Sequence, residues 1–147
     1  MSLKETLQIS LKESLKKKDK IRLETVRSVI NAVKNYEINN RVELDDSGIE
    51  KIIVSLVKQH KDSIEQFKKG DREDLAAQEE EELNILMEFL PEQLNEEDIK
   101  KIIKETIEEL GTVTKKEFGK VMKSVMNKIG TRADGKLVSK LVNQFIK

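Results

Sequence analysis

Basic side chains gathered near the carboxyl end are the residues of this sequence with the clearest chemical meaning. Residues 112–147 include nine Lys or Arg and two acidic side chains, a net charge of +7, whereas the chain of 147 residues as a whole has no net charge. A neutral chain that collects positive charge in one segment presents a surface there that attracts anions. Polyanions such as nucleic acids are therefore the first partner class that the sequence suggests.

The spacing of these basic residues places them on one side of each of two predicted helices. At 100° per residue, Lys116, Lys120 and Lys123 fall within about 60° of one another, opposite an apolar stripe. The final predicted helix repeats the arrangement with a stripe formed by Lys136, Lys140, Asn143, Gln144 and Lys147. Side by side, the two stripes would form a positive strip suited to a sugar-phosphate backbone.

Two further positions complete the candidate RNA-binding surface. Arg132 lies on the connection between the two helices, and Gly119, which has no side chain, would let the backbone of a ligand approach closely. The candidate RNA-binding residues are therefore Lys116, Gly119, Lys120, Lys123, Arg132, Lys136 and Lys140. A lysine stripe opposite an apolar face is also typical of any solvated helix, and this interpretation competes with an RNA site.

Residues suited to catalysis or metal binding are scarce. The chain has no cysteine and no glycine-rich nucleotide-binding loop of either common spacing. Its one histidine, His60, falls on an apolar stripe, and the sequence suggests no partner for it. Glu79–Glu82 point around the whole circumference of a helix, which is typical of a solvated acidic turn. No catalytic residue, cofactor or metal site is predicted, and the sequence argues against an enzyme.

The elements that position these residues are predicted to be helices throughout. Hydrophobic residues recur at helical spacing, and no stretch alternates as a strand does, so we predict an all-α fold. The predicted N-caps of the first four helices are Ser2, Asp19, Ser47 and Asp71. The first helix is expected to pack through Leu3, Leu7, Leu11 and Leu15, and the apolar side of the second extends towards Ile38.

Pro91 marks the predicted boundary between two domains. Residues 1–90 carry 16 basic and 19 acidic side chains, and residues 91–147 carry 12 and 9. Since proline cannot continue a helix, the fourth helix is expected to stop before it. The second part is predicted to be a three-helix domain whose helices begin at Asn95, Thr114 and Asp134.

Composition also bears on location. No apolar run approaches the ~18 residues of a membrane span. The first residues, Met-Ser-Leu-Lys-Glu, lack the apolar core of a signal peptide. A cytoplasmic location is therefore expected.

Several of these segments carry a family resemblance. Phe118-Gly119-Lys120-Val121-Met122 and Arg132-Ala133-Asp134-Gly135-Lys136-Leu137-Val138 resemble the C-terminal signature of the YqeY-like bacterial proteins. The same signature is similar to the tail domain of the GatB subunit of the tRNA-dependent amidotransferase. Residues 58–67, 72–75 and 90–94 also resemble motifs of the YqeY-like family, which more often has arginine at the position of His60. The resemblance thus extends over essentially the full length.

The resemblance implies a fold and a function. It implies an irregular multihelical array over residues 1–90 and a three-helix domain similar to the GatB tail over residues 91–147. In the amidotransferase the related tail contacts tRNA, while glutamyl phosphorylation and ammonia production occur in other domains. The resemblance therefore implies a non-catalytic module that binds structured RNA, and tRNA is the expected partner. With one Tyr and no Trp in the chain, binding through backbone and shape is expected rather than base stacking.

Two other functions stay open at this stage. An adaptor could pair with a tRNA-handling enzyme through an apolar rim near Met122, Met126 and Phe145. Residues 71–110 carry 15 acidic and 4 basic side chains, which would favour a protein partner if they neutralised the basic segment within the molecule. The third possibility is an amidotransferase-type carbon-nitrogen ligase with glutamine as amido donor.

Overall fold

Helices are the only regular elements in the part of the chain that the structure describes. The computed structural model describes residues 1–111 and 114–146. Its helices are α1 Leu3–Lys17, α2 Lys20–Asn40, α3 Asp46–Lys69, α4 Glu73–Met87, α5 Glu96–Leu110, α6 Phe118–Ile129 and α7 Gly135–Phe145, with 3₁₀ turns at Lys115–Glu117 and Gly130–Arg132. The predicted all-α fold is confirmed. None of the described helices combines the length and apolar character needed to cross a membrane.

The helices form two compact units, Met1–Leu90 and Pro91–Lys147. Helices α1 to α4 make up the first unit, and α5 to α7 make up the second. Each unit has its own cluster of buried aliphatic side chains. Each unit therefore buries a core of its own.

Two of the four predicted helix starts in the first unit are confirmed. The Ser2 hydroxyl accepts a hydrogen bond from the Glu5 amide, and the Asp19 carboxylate accepts one from the Arg22 amide. Such bonds satisfy amides that have no partner within the helix. The prediction for Ser47 is wrong, since Asp45, two residues earlier, caps α3.

The third and fourth helices begin differently from the prediction. Asp45 caps α3, because its carboxylate lies 2.8 Å from the Gly48 amide nitrogen. Asp71 does not cap α4. It adopts a left-handed conformation with φ 58°, and its amide bonds to the Lys68 carbonyl oxygen at the end of α3. Asp71 therefore belongs to the end of α3 and does not cap α4.

The core of the first unit is aliphatic, and its edges differ from the prediction. Val26, Ile49 and Ile53 are completely buried. Leu15 and Ile38, both predicted to face inward, are 51% and 73% exposed. Each step of four residues turns a side chain by about 40° around a helix. Leu15 is three such steps after Leu3 and therefore points about 120° away from it. Ile38 comes nine residues after the buried Val29, which places it about 180° around the helix from that residue.

Helices α3 and α4 form a hairpin. They share the most extensive helix-to-helix contact of the described chain and are joined by three residues, 70–72. The buried Ile53 and Val57 of α3 and Leu86 of α4 belong to one core cluster. Short connections of this kind join antiparallel neighbours. The hairpin therefore sets residues before the turn opposite residues after it.

Glu37 connects three segments of the first unit. Its carboxylate accepts hydrogen bonds from Lys4 Nζ of α1 at 2.7 Å and from the Leu44 amide of the α2–α3 connection at 2.8 Å. The bond from Lys4, more than that from Leu44, holds the pKa of Glu37 below its ordinary value. The same contact raises the pKa of Lys4. Folding thus favours the charged form of both groups.

The second unit is a bundle of three helices. Helices α5, α6 and α7 pack pairwise around Ile103, Val125 and Val138. The predicted caps at Asn95 and Asp134 are confirmed, each carboxyl or amide side chain accepting from a backbone amide of its own helix. The predicted cap at Thr114 is wrong, since its side chain makes no capping bond and a 3₁₀ turn precedes α6.

The connection between α6 and α7 is tied to the segment that leads into α5. The Leu94 amide donates to the Arg132 carbonyl oxygen at 2.8 Å. Gln93 Nε2 donates to the Thr131 carbonyl oxygen at 3.1 Å. Gly130, with a φ of 60° that favours glycine, ends α6 just before this connection. These contacts fix the point at which the two basic helices meet.

The contrast between buried and exposed isoleucines generates a stability prediction. Ile53→Ala leaves a cavity in a closed core, so we expect the free energy of unfolding to fall by about 2–5 kcal/mol. Ile38→Ala, the matched control, should change it by no more than about 0.5 kcal/mol. Urea denaturation followed by circular dichroism measures both. Equal losses in the two variants would contradict the described core.

The contacts of Glu37 generate a pH prediction. A carboxyl whose pKa is lower in the folded state stabilises the protein above its unfolded pKa of about 4.3, and this stabilisation is lost as the pH falls through the folded value. Wild type should therefore be more stable than Glu37→Gln at pH 7, and the difference should shrink by pH 3. Denaturation at the two pH values measures it, with Glu13→Gln, an exposed carboxylate of α1, as control. A difference that stays constant with pH would refute the role of the charge.

Candidate functional site

The lysines of α6 lie on its solvent-facing side. Val121, Val125 and Ile129 are buried and form the inward stripe of the helix. Lys120 and Lys123 are exposed. Because they lie roughly opposite the buried stripe at 100° per residue, packing of the core directs both ammonium groups away from the bundle.

Helix α7 presents its lysines in the same way. Val138 and Val142 are fully buried. Lys136 and Lys140 are exposed and lie about 40° apart on the opposite side of the helix. Since α6 packs against α7, the structure brings the two lysine pairs onto adjacent helices of one unit. Lys147, predicted on this stripe, lies outside the described residues.

Lys116 and Gly119 lie at the start of α6. Lys116 is exposed in the 3₁₀ turn that precedes the helix, rather than on the helix itself. Gly119 is exposed in the first turn, and a Cβ atom added to it would meet nothing within 4 Å. The surface beside Lys120 is therefore open to a ligand, and the glycine is not required there by crowding within the protein.

The candidate lysines differ from their neighbour Lys128 in their partners. Lys128 Nζ lies 2.9 Å from a Glu109 carboxylate oxygen and 3.1 Å from the Thr106 hydroxyl oxygen, so α5 holds its charge. Within residues 1–111 and 114–146, no ion pair or hydrogen bond involves the side chains of Lys116, Lys120, Lys123, Lys136 or Lys140. Within the described residues, these five ammonium groups therefore face solvent.

Arg132 has a structural task that the sequence did not suggest. Its guanidinium donates to the Lys128 carbonyl oxygen at 2.9 Å and to the Ile129 carbonyl oxygen at 3.2 Å. These carbonyls belong to the last turn of α6, where oxygens have no partner within the helix. Arg132 is half-buried and serves as a cap, so only part of its donor set faces outward.

The apolar rim proposed for an adaptor is largely covered. Met122, Met126 and Phe145 are partly buried and pack against the core of the second unit. The ammonium of Lys104 lies 5.6 Å from the centre of the Phe145 ring, a cation–π contact that covers it further. The exposed large hydrophobic residues among the described positions lie elsewhere, in the first unit.

His60 has partners, contrary to the sequence analysis. Its Nδ1 makes a short contact with a Glu79 carboxylate oxygen and lies 3.6 Å from a Glu82 carboxylate oxygen. The three side chains are 20%, 23% and 17% exposed. His60 comes from α3 and the two glutamates from α4. One imidazole and two carboxylates therefore converge on one face of the hairpin.

The surroundings of Glu82 disfavour its charged form. Burial raises the pKa of Glu82 above its ordinary value, and the nearby Glu79 charge raises it further. Glu24 acts in the same direction, while His60 and a hydrogen bond from Gln78 oppose it. The face of the hairpin thus concentrates negative charge in a partly desolvated place.

A signal for this convergence was present in the sequence. Glu79 and Glu82 are three residues apart and therefore share a helix face, even though Glu79–Glu82 as a run surrounds the helix. His60 and Glu82 both lie eleven positions from Asp71, at the turn of the hairpin. Treating α3 and α4 as an antiparallel pair would have placed the imidazole opposite the two carboxylates.

Comparison with known proteins identifies related chains. A family model described as Yqey-like protein matches residues 4–146. Two similar proteins are both named Altered inheritance of mitochondria protein 41, mitochondrial. The protein from Vanderwaltozyma polyspora is 29% identical over 148 residues, which cover 95% of this chain and 80% of that protein. The protein from Pyrenophora tritici-repentis is 31% identical over 143 residues, covering 95% and 78%.

These relatives correct two expectations. The cytoplasmic location expected from the sequence is contradicted, because the similar proteins are named as mitochondrial. A third protein of the same name, from Candida glabrata, is 27% identical over 149 residues, which cover 95% of this chain and 82% of that protein. They are also fungal proteins rather than the bacterial ones to which the resemblance pointed.

The task of Arg132 generates a prediction. Arg132→Met removes the donors that cap α6, so we expect the free energy of unfolding to fall by about 1 kcal/mol. Lys123→Met removes a charge that has no partner in the described chain and should change it by less than about 0.5 kcal/mol. Urea denaturation followed by circular dichroism measures both. A larger loss for Lys123→Met than for Arg132→Met would contradict this assignment.

Proposed function

The chain belongs to the YqeY-like protein family, and we propose that it is a non-catalytic helical module whose C-terminal unit binds structured RNA, with tRNA as the first candidate. One observation carries the proposal. Five exposed lysines on and beside α6 and α7 make no ion pair within the described chain. They are Lys116, Lys120, Lys123, Lys136 and Lys140.

The arrangement suits a phosphate backbone. Lysine ammonium groups act as point charges that bind phosphates through their charge, and such contacts carry no information about base sequence. Lysines on two packed helices can meet several phosphates at once, whereas a single stripe can follow only one strand. The expected binding is therefore strongly dependent on salt and weakly dependent on sequence.

The aromatic residues support binding through backbone and shape. Phe118 and Phe145 are partly buried and packed against the core of the second unit. Exposed aromatic rings are what single-stranded RNA modules use to stack bases. With its phenylalanines packed inward, the second unit offers charge rather than stacking, which favours a folded RNA with closely spaced phosphates.

A charge-reversal experiment tests the proposal. Lys120→Glu/Lys136→Glu should weaken tRNA binding by about tenfold or more and reduce the slope of log K against log salt by roughly two units, one for each lost contact. Both substitutions place a carboxylate in the first turn of a helix, where the helix dipole favours it. The variant should therefore fold. Titration of labelled tRNA at several salt concentrations measures the effect.

A matched control separates site from net charge. Lys51→Glu/Lys58→Glu makes the same charge change at two exposed lysines of α3 in the first unit. The control should bind tRNA as wild type does. Absence of binding by the wild type at low salt, or equal weakening by both double variants, would reject the proposed surface.

A protein-interaction adaptor is the second candidate, and one observation favours it. A groove of about 500 Å³ lies between α1 and α2, lined in part by Leu7, Ile9 and Ile30. Ile9 is among the exposed large hydrophobic residues of the described chain. Exposed apolar surface of this kind is used to contact proteins. Under this alternative, the two charge-reversed variants and wild type would give indistinguishable tRNA titrations.

A further inference from the structure

The His60, Glu79 and Glu82 cluster has no part in the proposed RNA-binding surface. It belongs to the first unit, whereas the candidate lysines belong to the second. One imidazole nitrogen and two carboxylate oxygens lie within 4.8 Å of one another. Nitrogen and carboxylate oxygen donors from two different elements, converging at this distance, are the donor set of many metal centres.

The scaffold holds these donors in place. The α3–α4 contact is the most extensive between helices of the described chain, and Val57, one turn before His60, is buried in its core. On α4, the buried Ile85 and Leu86 follow Glu82 within one turn. Side chains carried on packed helices are better ordered than those on loops, and rigid placement is what a metal site requires.

We infer that His60, Glu79 and Glu82 form a binding site for a divalent transition-metal ion. The imidazole would ligate through Nδ1, and each glutamate would supply one carboxylate oxygen. Imidazole donors favour Zn²⁺ and its first-row neighbours over Mg²⁺ and Ca²⁺, which prefer oxygen. The chain has no cysteine, so the site has no competing thiolate ligands. Three protein ligands leave at least one coordination position for water or another ligand.

The distances are compatible with such an ion. Donor atoms that share a tetrahedral Zn²⁺ ion, each at about 2.1 Å from it, lie roughly 3.4 Å apart. His60 Nδ1 and the nearest Glu82 oxygen are 3.6 Å apart. The contact between His60 and Glu79 is shorter and would lengthen by rotation of the glutamate side chain.

The charge of the cluster also favours a cation. Glu79 and Glu82 face one imidazole. The negative charge of Glu24 on α2 acts on Glu82 in addition to that of Glu79. A protonated His60 would neutralise one of these charges, whereas a divalent ion would neutralise two. Gln78 lies four residues before Glu82 on the same helix, where its side chain could orient that ligand in the way that outer residues orient metal ligands. A bound ion would also clamp α3 to α4.

The lone histidine allows a direct test. His60 is the only histidine of the chain, so a tag-free protein labelled with ¹⁵N gives a single set of imidazole signals. On titration with Zn²⁺, the Nδ1 signal of the folded full-length protein should shift and saturate at one ion per chain. Mg²⁺ should leave it unchanged. An Nδ1 signal that Zn²⁺ does not move would overturn the proposal, leaving an ordinary pair of His60 with Glu79.

Calorimetry with matched variants tests the ligand set. His60→Gln and Glu79→Gln should each weaken Zn²⁺ binding by at least about tenfold, as expected when a metal site loses a ligand. Glu81→Gln, which removes an exposed carboxylate from the same helix, should bind as wild type does. Wild-type affinity in both ligand variants would show that Zn²⁺ binds elsewhere on the surface and would overturn the assignment. Because the NMR titration uses the wild type, a variant that fails to fold does not remove the test.

Discussion

Burial of narrow aliphatic stripes is the constraint on which the rest of this structure depends. Charged residues make up 38% of the chain, and there is no cysteine to cross-link it. Each unit is therefore held by Ile, Leu and Val side chains that must all face the same way. Because a helix is rigid, fixing its apolar stripe fixes its rotation, and the rotation decides where every charge on that helix points. The core thus determines the electrostatic surface.

The two candidate sites are opposite consequences of this constraint. In α6, Lys120 and Lys123 lie about 140–160° from the middle of the buried stripe, so they reach solvent and have no partner in the described chain. On α3 and α4, His60 and Glu82 lie beside the buried stripes, so the packing of the hairpin draws them together. A charge opposite the core is available to a partner, whereas a charge at its margin meets another charge. Position relative to the stripe separates an exposed basic surface from a compact cluster of charged side chains.

Local signals predicted much of the fold, and tertiary contacts account for what they missed. Asn95 and Asp134 were correctly placed as caps because each satisfies amides within its own helix. The prediction that Asp71 caps α4 was wrong, because Asp71 lies at the end of α3 and its amide bonds to a carbonyl oxygen of that helix. At the sites, exposure of Lys120 followed from its angle to the apolar stripe. The capping of α6 by Arg132 did not follow from the sequence, because it depends on how the connection after α6 folds back onto the last turn of that helix. Contacts across a hairpin or a turn require knowledge of which elements meet.

The charge distribution of the second unit argues that a bound polyanion would have a defined orientation. The first turn of α5 carries Glu96, Glu97 and Asp98, all exposed, whereas α6 and α7 present lysines. Within the described part of this unit, the ion pair of Lys128 with Glu109 links the acidic helix to a basic one. A polyanion approaching the bundle is therefore repelled from one helix and attracted by the other two, and the effect weakens beyond a Debye length of about 8 Å. A polyanion close to this unit would respond to the local field of the three helices, which the zero net charge of the chain does not describe.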